Sequence, residues 1–226
     1  MNESRPTQDN MTSSPFEPNM KEIIENTLNN LGYKKDKDTM SFKVLKAYEN
    51  REYHNTDHLK NMFTNLRAFI ESTRLKIQNP NIFNFAIIMH DFVNGEPYDV
   101  EKSANCAENI LNKKSDAKPD ELKFLKKLIM ATNHKNNLES ATLEEKLIAD
   151  LDLGIFASSP DDYDNYAAAI RKEYKNYNDK TFAIGRKAVL EGFLNKKSIY
   201  HTDFFKKNFE TLAKINISAE LAKLIK

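Results

Sequence analysis

Cysteine and glycine are scarce in this chain of 226 residues. The single cysteine, Cys106, excludes an internal disulfide and suits a reducing compartment, so we expect a cytoplasmic protein. The five glycines are too few for the many tight turns of an all-β protein. Both scarcities favour an intracellular helical fold.

The sequence also lacks a charge excess and a long apolar run. The 34 Lys and Arg residues nearly balance 33 Asp and Glu residues, and the net charge of +1 argues against a nucleic acid polymer or an anionic membrane as a partner. No stretch reaches the roughly 18 uninterrupted apolar residues of a membrane span. Residues 1–18 are polar and have no signal-peptide core, so we expect a disordered lead-in before one domain over residues 19–226.

Apolar residues recur at helical spacing through most of this domain, and no alternating strand pattern competes with them. The predicted fold class is therefore all-α, with a single helical domain. The expected helices cover about residues 19–31, 40–48, 54–70, 81–93, 100–111, 119–134, 179–194 and 204–212, others include Leu147 or begin after Ser159, and a last short piece ends near Ile225.

The stretch from Asn81 to Val93 is apolar on nearly every side, which predicts a helix that is buried all round. His90 and Asp91 lie side by side at its end. Burying these two side chains costs several kcal/mol unless a partner compensates them, and a metal ion suits both residue types. The alternative is that Asp91 only orients His90 or caps a neighbouring element.

The preceding predicted helix begins with two histidines. His54 and His58 are four residues apart, which puts them on one face of that helix start. The residues after His58 keep the apolar helical rhythm, so this helix packs into the same core. Two neighbouring helices would then bring His54, His58, His90 and Asp91 to one place. This convergence predicts a metal site.

The same residues resemble the HD superfamily of metal-dependent phosphohydrolases, and more distantly the cyclic-nucleotide phosphodiesterases. The resemblance is strongest to a bacterial family of HD phosphohydrolases of about this length, and it spans about residues 20 to 220. The matching segments are Tyr53-His54-Asn55-x-x-His58, His90-Asp91, Glu101-Lys102-Ser103-Ala104, Ala131-Thr132-Asn133-His134, Asp150-Leu151-Asp152-Leu153, Arg171-Lys172-Glu173-Tyr174, Gly185-Arg186 and Ile199-Tyr200-His201-Thr202.

The resemblance implies an enzyme that hydrolyses a phosphate ester or anhydride in a small, nucleotide-like substrate. It implies one or two divalent metal ions per chain (Mn, Zn, Fe, Co or Mg) bound by His58, His90 and Asp91. Two other functions remain open: an HD-type di-iron oxygenase and a catalytically silent nucleotide-binding module. The substrate, the metal and the oligomeric state stay unassigned.

The remaining site residues each have two interpretations. His54 either protonates the leaving oxygen or supports a ligand through a hydrogen bond. Glu101 either orients a metal-bound water or acts as base, or it only favours a helix start. Asp91 is the alternative to Glu101 for steering the attacking hydroxide. His134 is a lesser metal candidate at a helix end. Arg186 and Arg171 either bind a substrate phosphate or form structural ion pairs.

The resemblance leaves Asp150 and Asp152 as alternatives for a further ligand. If one helix continues through Leu143, Leu147 and Leu151, Asp150 lies at the edge of the inward face and Asp152 points away. We therefore predict Asp150 as the metal ligand. Asp152 is the lesser candidate and is expected to bond backbone groups near Gly154.

Overall fold

The computed structural model describes residues 19–224 and contains helices but no strand within that range. The expected lead-in over residues 1–18 lies outside the described residues. None of the described helices combines the length and the apolar character that crossing a membrane requires. The all-α prediction is confirmed. The helices are α1 (Met20–Asn30), α2 (Lys37–Tyr48), α3 (Thr56–Thr73), α4 (Pro80–Met89), α5 (Asp99–Lys114), α6 (Pro119–Ala131), α7 (Leu143–Asp152), a 3-10 helix (Leu153–Ala157), α8 (Pro160–Glu173), α9 (Asp179–Leu194), α10 (Asp203–Asn208) and α11 (Glu210–Leu224).

Side-chain caps explain where most of these helices begin. The oxygen of a capping side chain accepts a hydrogen bond from a backbone N–H of the first turn, which otherwise has no partner. Proline occupies the first position of α4, α6 and α8, where its missing N–H costs nothing. The capping side chains belong to Asn19, Asp36, Asn55, Asn79, Thr142, Ser159 and Asn178.

Helix α4 lies at the centre of the core, as its all-round apolar sequence predicts. Seven of its ten residues are buried, and it contacts α1, α3, α5 and α6. The buried apolar residues of α1 through α11 form one continuous core. The metal-ligand candidates at the end of α4 are therefore attached to a helix that is buried on most sides.

Four predicted helix limits are wrong, and three of them affect the site. Helix α3 starts at Thr56, so His54 precedes it; α4 ends at Met89; α6 ends at Ala131, so His134 lies in the following turn. The predicted helix over residues 204–212 is broken at Phe209, and one long helix, α11, occupies Glu210–Leu224 where a short last piece was expected. His54, His90 and His134 thus lie just outside their helices. Their side chains are not confined to one helix face, so they can point towards residues of other helices.

Candidate metal centre

His58 is fixed by the capped start of α3. The Asn55 side chain accepts hydrogen bonds from the N–H groups of Asp57 and His58, and the Tyr53 hydroxyl lies 3.1 Å from Nδ1 of His58. His58 is buried. With Nδ1 engaged by a tyrosine, Nε2 is the nitrogen that faces the neighbouring helices, an arrangement typical of a metal-binding imidazole.

His90 is fixed by the last turn of α4. Its Nδ1 donates to the carbonyl oxygen of Ile87 at 2.8 Å, and the side chain is fully buried. This hydrogen bond places the ring proton on Nδ1 and leaves a lone pair on Nε2 in the neutral tautomer. Nε2 of His90 lies 3.2 Å from Nε2 of His58.

Arg51 ties the two histidine-bearing segments together. Its Nη1 donates to the Asp91 carbonyl oxygen at 2.6 Å, and its Nη2 donates to that of Phe92 at 3.1 Å. Arg51 precedes α3, whereas Asp91 and Phe92 follow α4. One guanidinium group therefore links the segment before α3 to the segment after α4. The Tyr48 hydroxyl adds a second link through the Ile88 carbonyl oxygen at 2.8 Å.

Asp91 and Asp152 complete the group around the two imidazoles. Asp91 Oδ2 lies 3.0 Å from His90 Nε2 and 3.8 Å from His58 Nε2. Asp152 Oδ1, at the end of α7, lies 3.1 Å from His58 Nε2 and 3.4 Å from His90 Nε2. One donor atom from each of the four residues lies within 4.8 Å of all the others, so the group could hold a metal ion.

These separations fit ligands that share one ion. Nitrogen and carboxylate ligands bind ions such as Zn²⁺ at about 2.0–2.2 Å, which puts adjacent ligand atoms about 3.0–3.6 Å apart. Asp91 Oδ2 is buried and has no well-oriented hydrogen bond, although His90 Nε2 is only 3.0 Å away. A cation would satisfy this oxygen. The donor set of two imidazoles and two carboxylates suits Zn, Mn, Fe or Co.

The pKa values of the two carboxylates, Asp91 and Asp152, also bear on whether the site could hold a cation. Burial opposes ionisation of Asp91, but the His90 imidazole outweighs it and lowers the pKa of Asp91 to about 2. Burial also opposes ionisation of Asp152, but His134, His58 and His90 hold its pKa well below the usual value. Two ionised carboxylates therefore share a largely buried place with the imidazoles, and a bound metal ion could replace the imidazolium charge that stabilises them.

The prediction that Asp150 is a metal ligand is wrong. Its carboxylate accepts three hydrogen bonds, each 2.7 Å long, from the N–H groups of His201 and Thr202 and from the Thr202 hydroxyl. Asp150 does point inward, but residues 147 to 151 of α7 are all buried, so an inward direction does not single out the metal side. Asp152, which the same reasoning turned away, is the residue that joins the histidines.

His54 joins the site from the loop before α3 rather than from a helix face. Its Nδ1 lies 2.6 Å from Oε2 of Glu173, and Oε1 of Glu173 accepts from the N–H groups of Tyr53 and His54 at 2.9 and 3.0 Å. The His54 and His58 ring centroids are 6.0 Å apart. Burial lowers the pKa of His54, but Glu173 and Asp91 outweigh it, so the net shift is upward.

Glu173 is the residue that sequence reasoning missed. It lies 119 positions from His54, and only its place in the Arg171-Lys172-Glu173-Tyr174 segment, which was noted for the resemblance, could have drawn attention to it. The His54 hydrogen bond and the two N–H groups outweigh the effect of burial and lower the pKa of Glu173 to about 2. An ionised Glu173 thus holds the His54 ring in one orientation.

His134 lies next to the cluster without belonging to it. Its Nε2 is 2.8 Å from Oδ2 of Asp152, the carboxylate oxygen that faces away from His58 and His90. His134 therefore supports a candidate ligand, while its assignment as a ligand of a second ion stays a prediction. Glu101 is exposed in the first turn of α5 and makes no contact with the four-residue group.

Neither arginine has a guanidinium free for a phosphate. Nε and Nη2 of Arg186 donate to Glu220 at 2.7 and 2.9 Å, and the pair is buried. Arg171 bonds Asp179 at 2.7 Å and the carbonyl oxygens of Tyr174 and Tyr177 at 3.0 Å. For both residues the geometry favours the structural ion pair over the substrate contact.

No family model, curated protein or solved structure matches this chain.

Proposed function

We propose that this protein is a metal-dependent phosphohydrolase, related to the HD superfamily, that acts on a phosphate ester or anhydride in a small, nucleotide-like substrate. The observation that supports this proposal most directly is the convergence of His58, His90, Asp91 and Asp152 with the spacing of ligands around one ion. A divalent ion held there would polarise a phosphoryl oxygen and lower the pKa of a bound water towards neutrality.

The chain supplies its own proton donor beside these ligands. Glu173 engages Nδ1 of His54, which leaves Nε2 as the nitrogen that gives a proton to the departing oxygen. The raised pKa of His54 favours the protonated imidazole that such a donor needs. Glu173 acts as a positioning residue because it fixes the ring and stabilises its positive charge.

Asp91 has the second chemical role. Its side chain is 17% exposed, so the carboxylate reaches the surface of the cluster while Oδ2 stays buried. In this position it would orient the attacking water, whose pKa a bound metal ion would already lower towards neutrality. Asp91 would thus orient the water on the side of attack, while His54 would donate a proton to the departing oxygen.

The test begins with metal. The purified protein should retain about one transition-metal ion per chain or bind one on addition, measured by elemental analysis. It should then release phosphate from at least one compound in a panel of phosphorylated metabolites with Mn²⁺, Co²⁺, Zn²⁺ or Mg²⁺. His90→Ala should lose both properties while remaining folded, and Glu71→Gln, an exposed carboxylate on α3, should keep both.

Two results would contradict the proposal. A metal-loaded protein that turns over no phosphorylated compound would leave only a binding function. Bound iron accompanied by oxygen consumption would indicate oxygenase chemistry at the same ligands.

A further inference from the structure

Asp152 faces two different groups with its two oxygens. Oδ1 lies beside His58 and His90, whereas Oδ2 accepts a hydrogen bond from Nε2 of His134 at 2.8 Å. His134 therefore contacts the Asp152 oxygen that does not face His58 and His90. His54 approaches the same cluster by another side, next to His58.

An ammonium group is fixed directly beyond His134. Nζ of Lys196 donates to the His134 carbonyl oxygen at 3.0 Å and lies 4.9 Å from the centroid of the Phe193 ring. The His134 ring also packs against Phe193, with 5.8 Å between centroids. The Phe193 ring therefore contacts both Lys196 and His134, and it holds the Lys196 ammonium next to His134.

The Lys196 ammonium has no carboxylate within 4.0 Å among residues 19–224. Its side chain is partly buried, and this burial lowers its pKa. Many other lysines of the chain are paired with Asp or Glu, Lys102 with Glu96 and Lys223 with Asp164 among them. A positioned, partly desolvated cation without a counter-ion attracts an anion more strongly than a solvated surface lysine does.

Two further lysines, Lys146 and Lys206, are near enough to His201 to influence its pKa together with Lys196. Burial together with the charges of Lys196, His134, Lys206 and Lys146 lowers the pKa of His201 to about 4. Lys146 and Lys206 also have no carboxylate partner in the described part of the chain; Lys146 bonds the backbone oxygen of Glu139. We call His134, Lys146, Lys196 and Lys206 the basic lobe; His201 lies among them as a neutral imidazole because its pKa is lowered.

The nearest acids do not neutralise the basic lobe. Asp150 is fully buried and its carboxylate is occupied by the hydrogen bonds from His201 and Thr202. Asp152 is shared between His134 and the two imidazoles of the cluster. A protein with a net charge of only +1 thus concentrates positive charge at one edge of its candidate metal site.

We propose that the basic lobe binds a second phosphoryl group of the substrate, next to the phosphoryl group at the metal cluster. A phosphate carries about −1.5 to −2 charges and three strong acceptor oxygens, and lysine serves it as a point charge. This inference rests on the proposed function and narrows it: the substrate carries two linked phosphates, as a nucleoside diphosphate does. Lys196 is the residue that discriminates such a substrate from a monophosphate.

The test compares the binding of two simple probes to the full-length protein at a fixed excess of free Mn²⁺. Imidodiphosphate, which has a non-hydrolysable bridge, occupies both positions, and orthophosphate occupies only one. Calorimetry should show imidodiphosphate binding at least tenfold more tightly than orthophosphate to the unmodified protein. In Lys196→Gln this ratio should fall to about one, with orthophosphate affinity and metal content unchanged. Lys197→Gln, which changes the adjacent exposed lysine, should keep the original ratio.

The outcomes separate the two proposals. An unchanged ratio in folded Lys196→Gln would overturn the basic-lobe inference, even if phosphate esters are hydrolysed. An equal loss of both affinities would also overturn it, because Lys196 would then act at the first phosphoryl position. Binding of imidodiphosphate that depends on Lys196, without turnover of any phosphorylated compound, would uphold the inference and contradict the proposed function.

Discussion

Asp150 and Asp152 lie two residues apart on α7, yet their carboxylates bind different parts of the molecule. Asp150 accepts hydrogen bonds from the start of α10, whereas Asp152 lies 3.1 Å from Nε2 of His58. We expect Asp152→Asn to lower metal affinity at least tenfold while the fold persists. Asp150→Ala should keep the metal and lower the free energy of unfolding by about 1–3 kcal/mol, because buried N–H groups lose their acceptor.

Elemental analysis and thermal melting of both variants check this pair. Metal loss in Asp150→Ala with a normal melting temperature would return the ligand role to Asp150.

Metal should stabilise the folded chain. The ion binds the folded cluster and not the dispersed ligands of the unfolded chain, so an ion at 1,000 times its dissociation constant adds about 4 kcal/mol. Treatment with a chelator should therefore lower the melting temperature, and Mn²⁺ or Zn²⁺ should restore it. In Asp91→Asn, which removes the charge of the unpaired buried oxygen, the melting temperature should be insensitive to both treatments. An equal response of this variant to metal would exclude Asp91 from the site.

His54 and Glu173 should affect turnover but not metal binding. His54→Ala removes the proton donor, and its loss typically lowers kcat about 10²–10⁴-fold. Glu173→Gln should lower kcat by a smaller factor, because His54 remains but loses the partner of its Nδ1. The deficit of both variants should be greatest for substrates with poor leaving groups. A deficit that is the same for good and poor leaving groups would assign His54 and Glu173 to structure rather than proton transfer.

Glu173 also predicts a pH dependence of stability. Its pKa is lowered from 4.5 to about 2 in the folded chain, so its contribution is complete above pH 4.5 and is lost as the pH falls from 4.5 towards 2. In chelator-treated protein, the stability difference between the unmodified chain and Glu173→Gln should therefore shrink over that window. Denaturant titrations at several pH values measure the difference. A gap that stays constant down to pH 2 would contradict the ionised His54–Glu173 pair.

Arg186 should be a stability residue. Its guanidinium forms a buried pair with Glu220, whose Oε2 also accepts the Tyr163 hydroxyl at 2.7 Å. Removing one partner of such a pair typically costs about 3–5 kcal/mol because the other charge stays buried. Arg186→Ala should therefore lower the melting temperature strongly and leave the KM for substrate unchanged in the fraction that folds. A raised KM with normal stability would restore the substrate-binding role that the sequence suggested.

The sequence by itself determined the helical class and three of the four residues of the candidate metal group. Few glycines and the 3.6-residue apolar rhythm are local properties, so they predict helices without knowledge of the packing. His58, His90 and Asp91 could be found because they lie at the ends of two helices that enter the same core, one with an apolar face and one apolar all round.

Only the tertiary structure decided between Asp150 and Asp152 and revealed Glu173 as the partner of His54. Both questions depend on contacts between distant segments: Asp150 meets Thr202, 52 residues later, and Glu173 meets His54, 119 residues earlier. A helical angle separates an outward face from an inward one, but residues 147 to 151 of α7 are all buried. Which neighbour each buried carboxylate meets is set by the packing of α7 against α3 and the α10 start, and no local pattern in the sequence contains that information.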